Sequence, residues 1–196
     1  MKRIKRIYIL ASGSGSNAEM IVRYFQHSET VQIAGIGTNN PQAGVIERAK
    51  RLGIDCHVFD RTFFKDTNGL VKQLLEEKID LLVLAGFLWL VPENMVHAFP
   101  DRILNIHPAL LPDFGGQGFY GNRVHEAVLA ENRLMSGITI HIVNEHFDEG
   151  ATVFQAACHV DPSDTVESLA QKVHALEHRF YPVVIEKFLH AQLSEV

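Results

Sequence analysis

Short apolar segments alternate with segments of helical periodicity through the first hundred residues of this 196-residue chain, and no other feature restricts its fold as strongly. After Asp80, residues 81–85 are apolar without interruption, which is typical of a parallel strand covered on both faces. Strands are predicted at residues 6–11, 31–37, 56–59, 80–85 and 102–106, and helices at residues 18–26, 41–53, 67–78 and 92–98. This alternation predicts an α/β fold with a single doubly wound, mostly parallel sheet.

The second half of the sequence has a different pattern. A glycine-rich loop is predicted at residues 115–121, a helix at 123–131, and two strands at 137–144 and 151–159 with a turn between them. Strands joined in this way run antiparallel, so we expect an antiparallel part at that end of the sheet. Asp164 or Thr165 is predicted to cap a long final helix that extends to about residue 189, with a kink at Pro182. Because no repeat or linker interrupts the pattern, one domain over residues 1–196 is predicted.

The composition excludes several classes of protein. A formal net charge of −5, spread along the chain, leaves no basic face for nucleic acid or anionic lipid. The basic first residues are followed by an apolar stretch at residues 7–11 that is too short for a signal peptide or a membrane span. Cys56 and Cys158 lack metal-ligand spacing, and the histidines lack the acidic partners of a zinc motif, so no metal is predicted. We expect a protein of the reducing cytoplasm.

An amide and an imidazole stand two residues apart at the end of a predicted strand, so the side chains of Asn105 and His107 point to the same face. An amide stabilises a developing oxyanion while a neighbouring imidazole transfers a proton, and acyl transfer needs both. Pro108 and Pro112 end the strand at this point, where open α/β sheets bind their ligands. The pair predicts an acyl-transfer site, against the alternative that His107 is a packing residue.

Residues 12–17, with the sequence S-G-S-G-S-N, lie between the first predicted strand and the first predicted helix and are here called the phosphate loop. Glycines permit a close approach of the backbone, and the free N–H groups at the start of a helix attract a phosphate. Gly13, Gly15 and Ala18 also match the dinucleotide pattern G-x-G-x-x-A. That pattern expects an acidic residue at the end of the second strand, where this chain has Asn39, so a phosphate is favoured over a nicotinamide dinucleotide.

Three further features each have two interpretations. Asp148, on the predicted turn F-D-E-G, is an ordinary turn residue or a carboxylate that orients His107 and raises its pKa above about 6.5. The apolar residues 85–91 form the wall of a pocket for a flat aromatic ligand, or their aromatic rings only pack beneath a helix. Glu177 on the final helix faces the site or the solvent.

Five motifs occur in order along nearly the whole chain: S-G-x-G-S-N at residues 12–17, L-A-G-F at 84–87, N-I-H-P-A-L-L-P at 105–112, F-D-E-G at 147–150 and E-H-x-x-Y-P at 177–182. Together they resemble the phosphoribosylglycinamide formyltransferases, a family of folate-dependent enzymes. The resemblance implies a Rossmann-like formyltransferase domain. It also implies transfer of a formyl group from 10-formyltetrahydrofolate to the amine of 5-phosphoribosylglycinamide in de novo purine biosynthesis.

The same resemblance implies roles for individual residues. Asn105 and His107 are expected to stabilise a tetrahedral intermediate, with Asp148 assisting them. The residues expected to contact the ribonucleotide are Gly15, Ser16, Asn17, Pro108 and Glu177. The residues expected to contact the folate are Leu88, Trp89, Leu90, Val91, Asn105 and, in the place of an arginine that the family uses upstream, Lys65 or Arg61.

Formyltetrahydrofolate deformylases and methionyl-tRNA formyltransferases also use an Asn, a His and an Asp at the site of reaction, so these three residues do not choose among the enzymes. A deformylase is expected to carry a further domain before the first strand, and a tRNA formyltransferase a basic domain after the core; neither is expected here. A non-catalytic module that binds folate or nucleotide is the alternative of a different class. The expected partners are thus two small substrates, with no nucleic acid and no membrane, and a homodimer is compatible with the sequence.

Overall fold

In the computed structural model, which describes residues 3–191, seven strands form one mixed sheet. They are β1 (Lys5–Leu10), β2 (Val31–Thr38), β3 (Cys56–Val58), β4 (Leu81–Leu84), β5 (Ile103–His107), β6 (Met135–Ile142) and β7 (Thr152–His159). Their spatial order is β3-β2-β1-β4-β5-β6-β7; β1 to β5 are parallel, and β6 is antiparallel to both β5 and β7. The predicted doubly wound sheet, with antiparallel pairing in the C-terminal half, is confirmed.

Helices cover both faces of this sheet. They are α1 (Ser16–Phe25), α2 (Val45–Leu52), α3 (Arg61–Lys65), α4 (Lys72–Glu76), α5 (Glu93–Ala98), α6 (Asn122–Ala130) and α7 (Val166–Ala191). Side chains of α1, α2 and α7 bury Ile9 and Val83 on one face, while side chains of α3, α4 and α5 bury Leu10 and Leu82 on the other. Because successive strand residues enter different cores, the central strands must be apolar at every position.

Two helices differ from the sequence-based expectation. The helix predicted from residue 41 begins at Val45, because the Asn40 side chain accepts a hydrogen bond from the Gln42 N–H and closes a turn there. The helix predicted at 67–78 is interrupted at Gly69, whose φ of −86° and ψ of −125° are not helical. A glycine in a helical pattern weakens a helix, and here the short α3 and α4 lie on either side of that break.

Helix α7 follows β7 in the chain and contacts the central strands β4 and β5. Thr165 caps it, since the Thr165 Oγ1 accepts from the Ser168 N–H and the Ser168 Oγ accepts from the Thr165 N–H. Further along, the buried Tyr181 hydroxyl lies 3.0 Å from the Leu84 carbonyl oxygen and 3.1 Å from the Leu104 carbonyl oxygen. The two hydrogen bonds fix α7 against β4 and β5 near the ends of both strands, where residues of these strands line a cavity.

Some structural findings concern membranes, metals and thiols. Among residues 3–191, no helix combines the length and the apolar character needed to cross a membrane. The same described part of the chain contains no group of three or more His, Cys, Asp or Glu side chains that could hold a metal ion. Cys56 and Cys158 are free thiols.

Candidate active site

A cavity of about 520 Å³ opens at the carboxyl ends of β1, β4 and β5, where parallel sheets of this kind bind ligands. The predicted site residues that line it are Gly15, Ser16, Asn17, Leu88, Trp89, Leu90, Val91, Asn105, His107, Pro108, Asp148 and Glu177. Lys65 and its alternative Arg61 do not line it. The fold therefore brings segments from both halves of the sequence to one cavity.

Four polar side chains meet on the cavity wall and are here called the Asp148 cluster: Asn105, His107, His141 and Asp148. One oxygen of Asp148 lies 3.4 Å from His107 Nδ1. The other lies 3.5 Å from His141 Nε2 and 3.4 Å from the Asn105 amide nitrogen. The same amide nitrogen lies 3.1 Å from His141 Nε2, because Asn105 and His141 are direct partners across the antiparallel β5 and β6. The carboxylate is thus the centre of a connected polar network.

Both ring nitrogens of His107 face hydrogen-bond acceptors. Its Nε2 donates to the Phe114 carbonyl oxygen at 2.7 Å, and its Nδ1 faces the Asp148 carboxylate. Burial nevertheless lowers the pKa of His107 below its ordinary value, although Asp148 and the Phe114 carbonyl act to raise it. The expectation that Asp148 lifts this pKa above 6.5 is wrong, because removing water from a ring that is only 4% exposed outweighs the attraction of one carboxylate.

The backbone of Asp148 adopts a left-handed conformation. Its φ of 58° lies in the left-handed region, which is uncommon for residues other than glycine, asparagine and aspartate. Burial acts to raise the pKa of Asp148, but the His141 side chain, the charge of His107 and the Gly116 N–H together lower it. That N–H donates to Asp148 Oδ2 at 3.0 Å. The carboxylate is therefore kept ionised beside His107, and it also anchors the glycine-rich loop.

The phosphate loop is built by backbone geometry. Gly15 has a φ of 78°, and a Cβ at this position would lie 2.5 Å from Val45 Cγ2. Helix α1 begins directly after it, and no side chain within residues 3–191 caps the helix N-terminus. Arg48 of α2 donates to the Ser14 carbonyl oxygen at 2.8 Å and pairs with Glu19 on α1. The loop is therefore held from behind, while the helix N-terminus faces the cavity with its N–H groups available for an anion.

Glu177 faces the cavity, which decides between the two interpretations of this residue. It is only 5% exposed, and it accepts a hydrogen bond of 2.8 Å from the Asn17 side-chain amide. Burial raises the pKa of Glu177, whereas the Asn17 bond and the nearby His174 act to lower it. The Asn17 Oδ1 is buried and has no hydrogen-bond partner within residues 3–191. Glu177 and the phosphate loop thus form one polar wall.

The apolar segment after β4 combines both roles that its sequence suggested. Its two aromatic residues, Phe87 and Trp89, line the cavity and also belong to an aromatic cluster, since Trp89 contacts Phe87 and also Phe64. Leu88 and Leu90 are 51% and 41% exposed and line the cavity. The Arg61 guanidinium lies 5.1 Å from the centre of the Trp89 ring. Lys65 is exposed on α3.

The site residues predicted from the sequence do not include His125 and His141. His141 becomes visible only when β6 is paired with β5 in the correct register, which places it opposite Asn105. His125 of α6 lines the cavity at 2% exposure, and its Nδ1 is buried with no hydrogen-bond partner in the described part of the chain. Burial, together with the nearby His174 and His107, lowers the pKa of His125 to about 4, so this ring is neutral near pH 7.

Comparison with known proteins places this site in a family. The family model described as formyl transferase matches residues 5–185. A phosphoribosylglycinamide formyltransferase of Bacillus subtilis is 35% identical over 191 residues, which cover 95% of this chain and 95% of that protein. The chain belongs to the phosphoribosylglycinamide formyltransferase family. The resemblance carried by the five sequence motifs is therefore confirmed.

Other members of the family agree with this assignment. The chloroplastic phosphoribosylglycinamide formyltransferase of Arabidopsis thaliana is 41% identical; the match covers 93% of this chain, which spans 65% of that longer protein. The crystal structure of the Bacillus halodurans phosphoribosylglycinamide formyltransferase has a TM-score of 0.84 and 37% identity, with coverage of 94% and 95% of the two chains. The glycinamide ribonucleotide transformylase 1 of Symbiobacterium toebii also has a TM-score of 0.84, at 36% identity and coverage of 93% and 86%.

Proposed function

We propose that this formyltransferase moves the formyl group of 10-formyltetrahydrofolate to the amine of 5-phosphoribosylglycinamide, a reaction of purine biosynthesis, and that Asn105, His107 and Asp148 perform the transfer. One observation carries the proposal: a single cavity joins the Asp148 cluster to the phosphate loop on one side and to the apolar segment after β4 on the other. A reaction between a phosphorylated amine and a flat aromatic formyl donor needs these three surfaces next to each other.

The two substrates fit different walls of the cavity. The N–H groups at the start of α1, with Gly15, Ser16 and Asn17, suit the phosphate of the ribonucleotide. Glu177 suits its ribose hydroxyls, and Pro108, which follows His107 in the chain, also lines the cavity. The exposed side chains of Leu88 and Leu90, beside Trp89 and Val91, offer the apolar surface that a pterin ring requires.

In the proposed reaction the substrate amine attacks the formyl carbon, and a carbon–nitrogen bond forms while the carbonyl oxygen becomes an oxyanion. The Asn105 amide donates a hydrogen bond to that oxyanion, and protonated His107 donates a second one once its Nε2–H turns from the Phe114 carbonyl oxygen to the substrate. Asp148 keeps His107 oriented and favours its charged form. The bond from the formyl carbon to the folate nitrogen then breaks as His107 gives its proton to that nitrogen. The neutral ring takes up the proton lost by the amine, which restores protonated His107. The products are the formylated ribonucleotide and tetrahydrofolate.

The test is a formyl-transfer assay on the purified chain with 10-formyltetrahydrofolate, in the presence and absence of 5-phosphoribosylglycinamide, with the folate product followed by absorbance. Product that forms only with the ribonucleotide is the expected result. Product without the ribonucleotide would instead indicate a deformylase. Binding of both ligands with no turnover would indicate a non-catalytic module and overturn the proposal.

We propose that the chain acts on these two small molecules in the cytoplasm, and that it does so as a homodimer. Sedimentation of the purified chain at micromolar concentration, with twice the monomer mass of 22.0 kDa as the expected result, tests the assembly.

A further inference from the structure

Ser12, the first residue of the phosphate loop, lies between the two substrate walls. Its hydroxyl accepts a hydrogen bond of 3.0 Å from the Leu88 N–H, and its own N–H donates to the Gly86 carbonyl oxygen at 3.0 Å. The same hydroxyl donates to the Asn39 side-chain oxygen at 2.7 Å. Ser12 is 6% exposed and does not itself line the cavity. It therefore acts on the cavity only through its neighbours.

The direction of these bonds is fixed by the chemistry of a hydroxyl, which has one proton to donate and lone pairs to accept. Because the proton points to Asn39 Oδ1, a lone pair is directed to the Leu88 N–H. Asn39 follows the end of β2, so three loops at the carboxyl edge of the sheet meet at one oxygen atom. Removing that oxygen would leave a backbone N–H and an amide oxygen without their partner, which is costly at a buried position.

Apart from the two bonds of Ser12 to Gly86 and Leu88, the hydrogen bonds of the phosphate loop within residues 3–191 do not reach the apolar segment. Arg48 and Val45 of α2 hold the loop from the opposite side, through the carbonyl oxygens of Ser14 and Gly13. Loss of the Ser12 hydroxyl would therefore leave the loop attached to α2 but weaken its connection to Leu88, with one backbone bond to Gly86 remaining.

We propose that Ser12 is a positioning residue that couples the two substrate sites. When the ribonucleotide orders the phosphate loop, the Ser12 hydroxyl also orders the segment that binds the folate. When the folate orders that segment, the same hydroxyl orders the phosphate loop. The inference rests on the proposed function for the identity of the two ligands. Coupling of this kind is reciprocal, so each ligand raises the affinity for the other by the same factor. We expect a factor of about ten, within the usual range for linked sites.

The test measures that factor by calorimetric titration with 5-phosphoribosylglycinamide and tetrahydrofolate, which lacks the formyl group and so cannot react. Each ligand is titrated alone and with the other at saturation, in the native protein and in Ser12→Ala. The coupling factor is expected to fall from about ten to below two in Ser12→Ala. Ser12→Thr, which keeps a hydroxyl, is expected to retain it. Ser28→Ala is the matched control, because it removes a hydroxyl that accepts the Val31 N–H in a turn after α1.

Two outcomes would overturn the inference: a native coupling factor below two while both ligands bind, or an unchanged factor in Ser12→Ala. If Ser12→Ala does not fold, as judged by its melting curve, Asn39→Ala replaces it. That variant removes the acceptor that fixes the direction of the Ser12 hydroxyl, and it is expected to lower the coupling factor at least threefold. An unchanged coupling factor in Asn39→Ala would also overturn the inference. Failure of the native protein to bind the ribonucleotide, or to transfer formyl in the assay, would instead remove the proposed function.

Discussion

The Asp148 cluster and the phosphate loop lie on the same cavity but are constructed in opposite ways. The cluster consists of two buried histidines and two partly buried side chains that satisfy one another, with Asp148 in contact with Asn105, His107 and His141. The loop consists of backbone, and its binding groups are the N–H groups that α1 leaves free because Gly15 carries no capping side chain. The cluster is therefore sensitive to the loss of a charge or hydrogen bond, and the loop is sensitive to the gain of volume.

The largest effect that separates the two regions is expected from His107→Ala. Removal of a proton-transfer group typically costs 10²–10⁴ in rate, and we expect a loss of about 10³ in kcat. The affinity for the ribonucleotide should stay within about threefold, because the phosphate loop is held by α2 and not by the cluster. Steady-state kinetics and calorimetric titration measure the two quantities.

His97→Ala is the control for this change, since His97 is 69% exposed and pairs with Glu145 at the surface. Its kcat is expected to be that of the native protein. A kcat in His107→Ala within tenfold of the native value would remove the proton-transfer role of this residue.

Asp148→Asn is expected to have the next largest effect, a loss of about 10² in kcat at pH 7. In the native structure the Asp148 charge acts to raise the pKa of His107 against the effect of burial. Without that charge the pKa of His107 falls further. If the protonated ring is the active form, the loss of activity with rising pH must then begin at a lower pH than in the native protein. A pH–rate profile of kcat measures this shift.

Asp161→Asn provides the comparison for that profile, because Asp161 is a half-exposed carboxylate paired with Lys172 away from the cavity. Its profile should overlay the native one. An Asp148→Asn profile displaced to higher pH, or not displaced, would contradict the electrostatic role of this carboxylate.

The same contrast determines which parts of the molecule can be predicted from sequence. The phosphate loop is contiguous in the chain, so its glycines, its serines and the following helix are visible together. The cluster is assembled by the pairing of β5 with β6, and His141 enters it only through that register. Local sequence also does not predict a property that depends on burial. The pKa of His107 is an example, because its direction of shift depends on the water that tertiary packing removes. In the same way, the break at Gly69 depends on how the chain meets α3.

Gly15→Ala tests the loop side of the comparison. The added Cβ would lie 2.5 Å from Val45 Cγ2, and the residue would have to keep a φ of 78°. We expect the KM for the ribonucleotide to rise at least about tenfold, because the loop must move away from its anion-binding geometry, while kcat falls far less than in His107→Ala. The matched control is Gly53→Ala, which has a similar φ of 68° but no heavy atom within 4 Å of the added Cβ. It should cost stability without changing KM; equal KM values for the two variants would show that the collision is irrelevant.

The smallest effect is expected from Lys65→Ala. This change tests a contact that belongs neither to the Asp148 cluster nor to the phosphate loop. Lys65 is exposed and lies outside the cavity wall, so a folate can gain from it only by attraction between solvated charges. Such pairs are worth about 0.2–1 kcal/mol, which predicts a rise in the KM for 10-formyltetrahydrofolate of only about twofold that disappears at high salt. Arg61→Ala should raise the same KM more, and independently of salt, because its guanidinium packs 5.1 Å from the centre of the cavity-lining Trp89 ring. A larger effect for Lys65→Ala than for Arg61→Ala would reverse this order. It would assign the position of the family's upstream arginine to the lysine, as one of the two alternatives from the sequence has it.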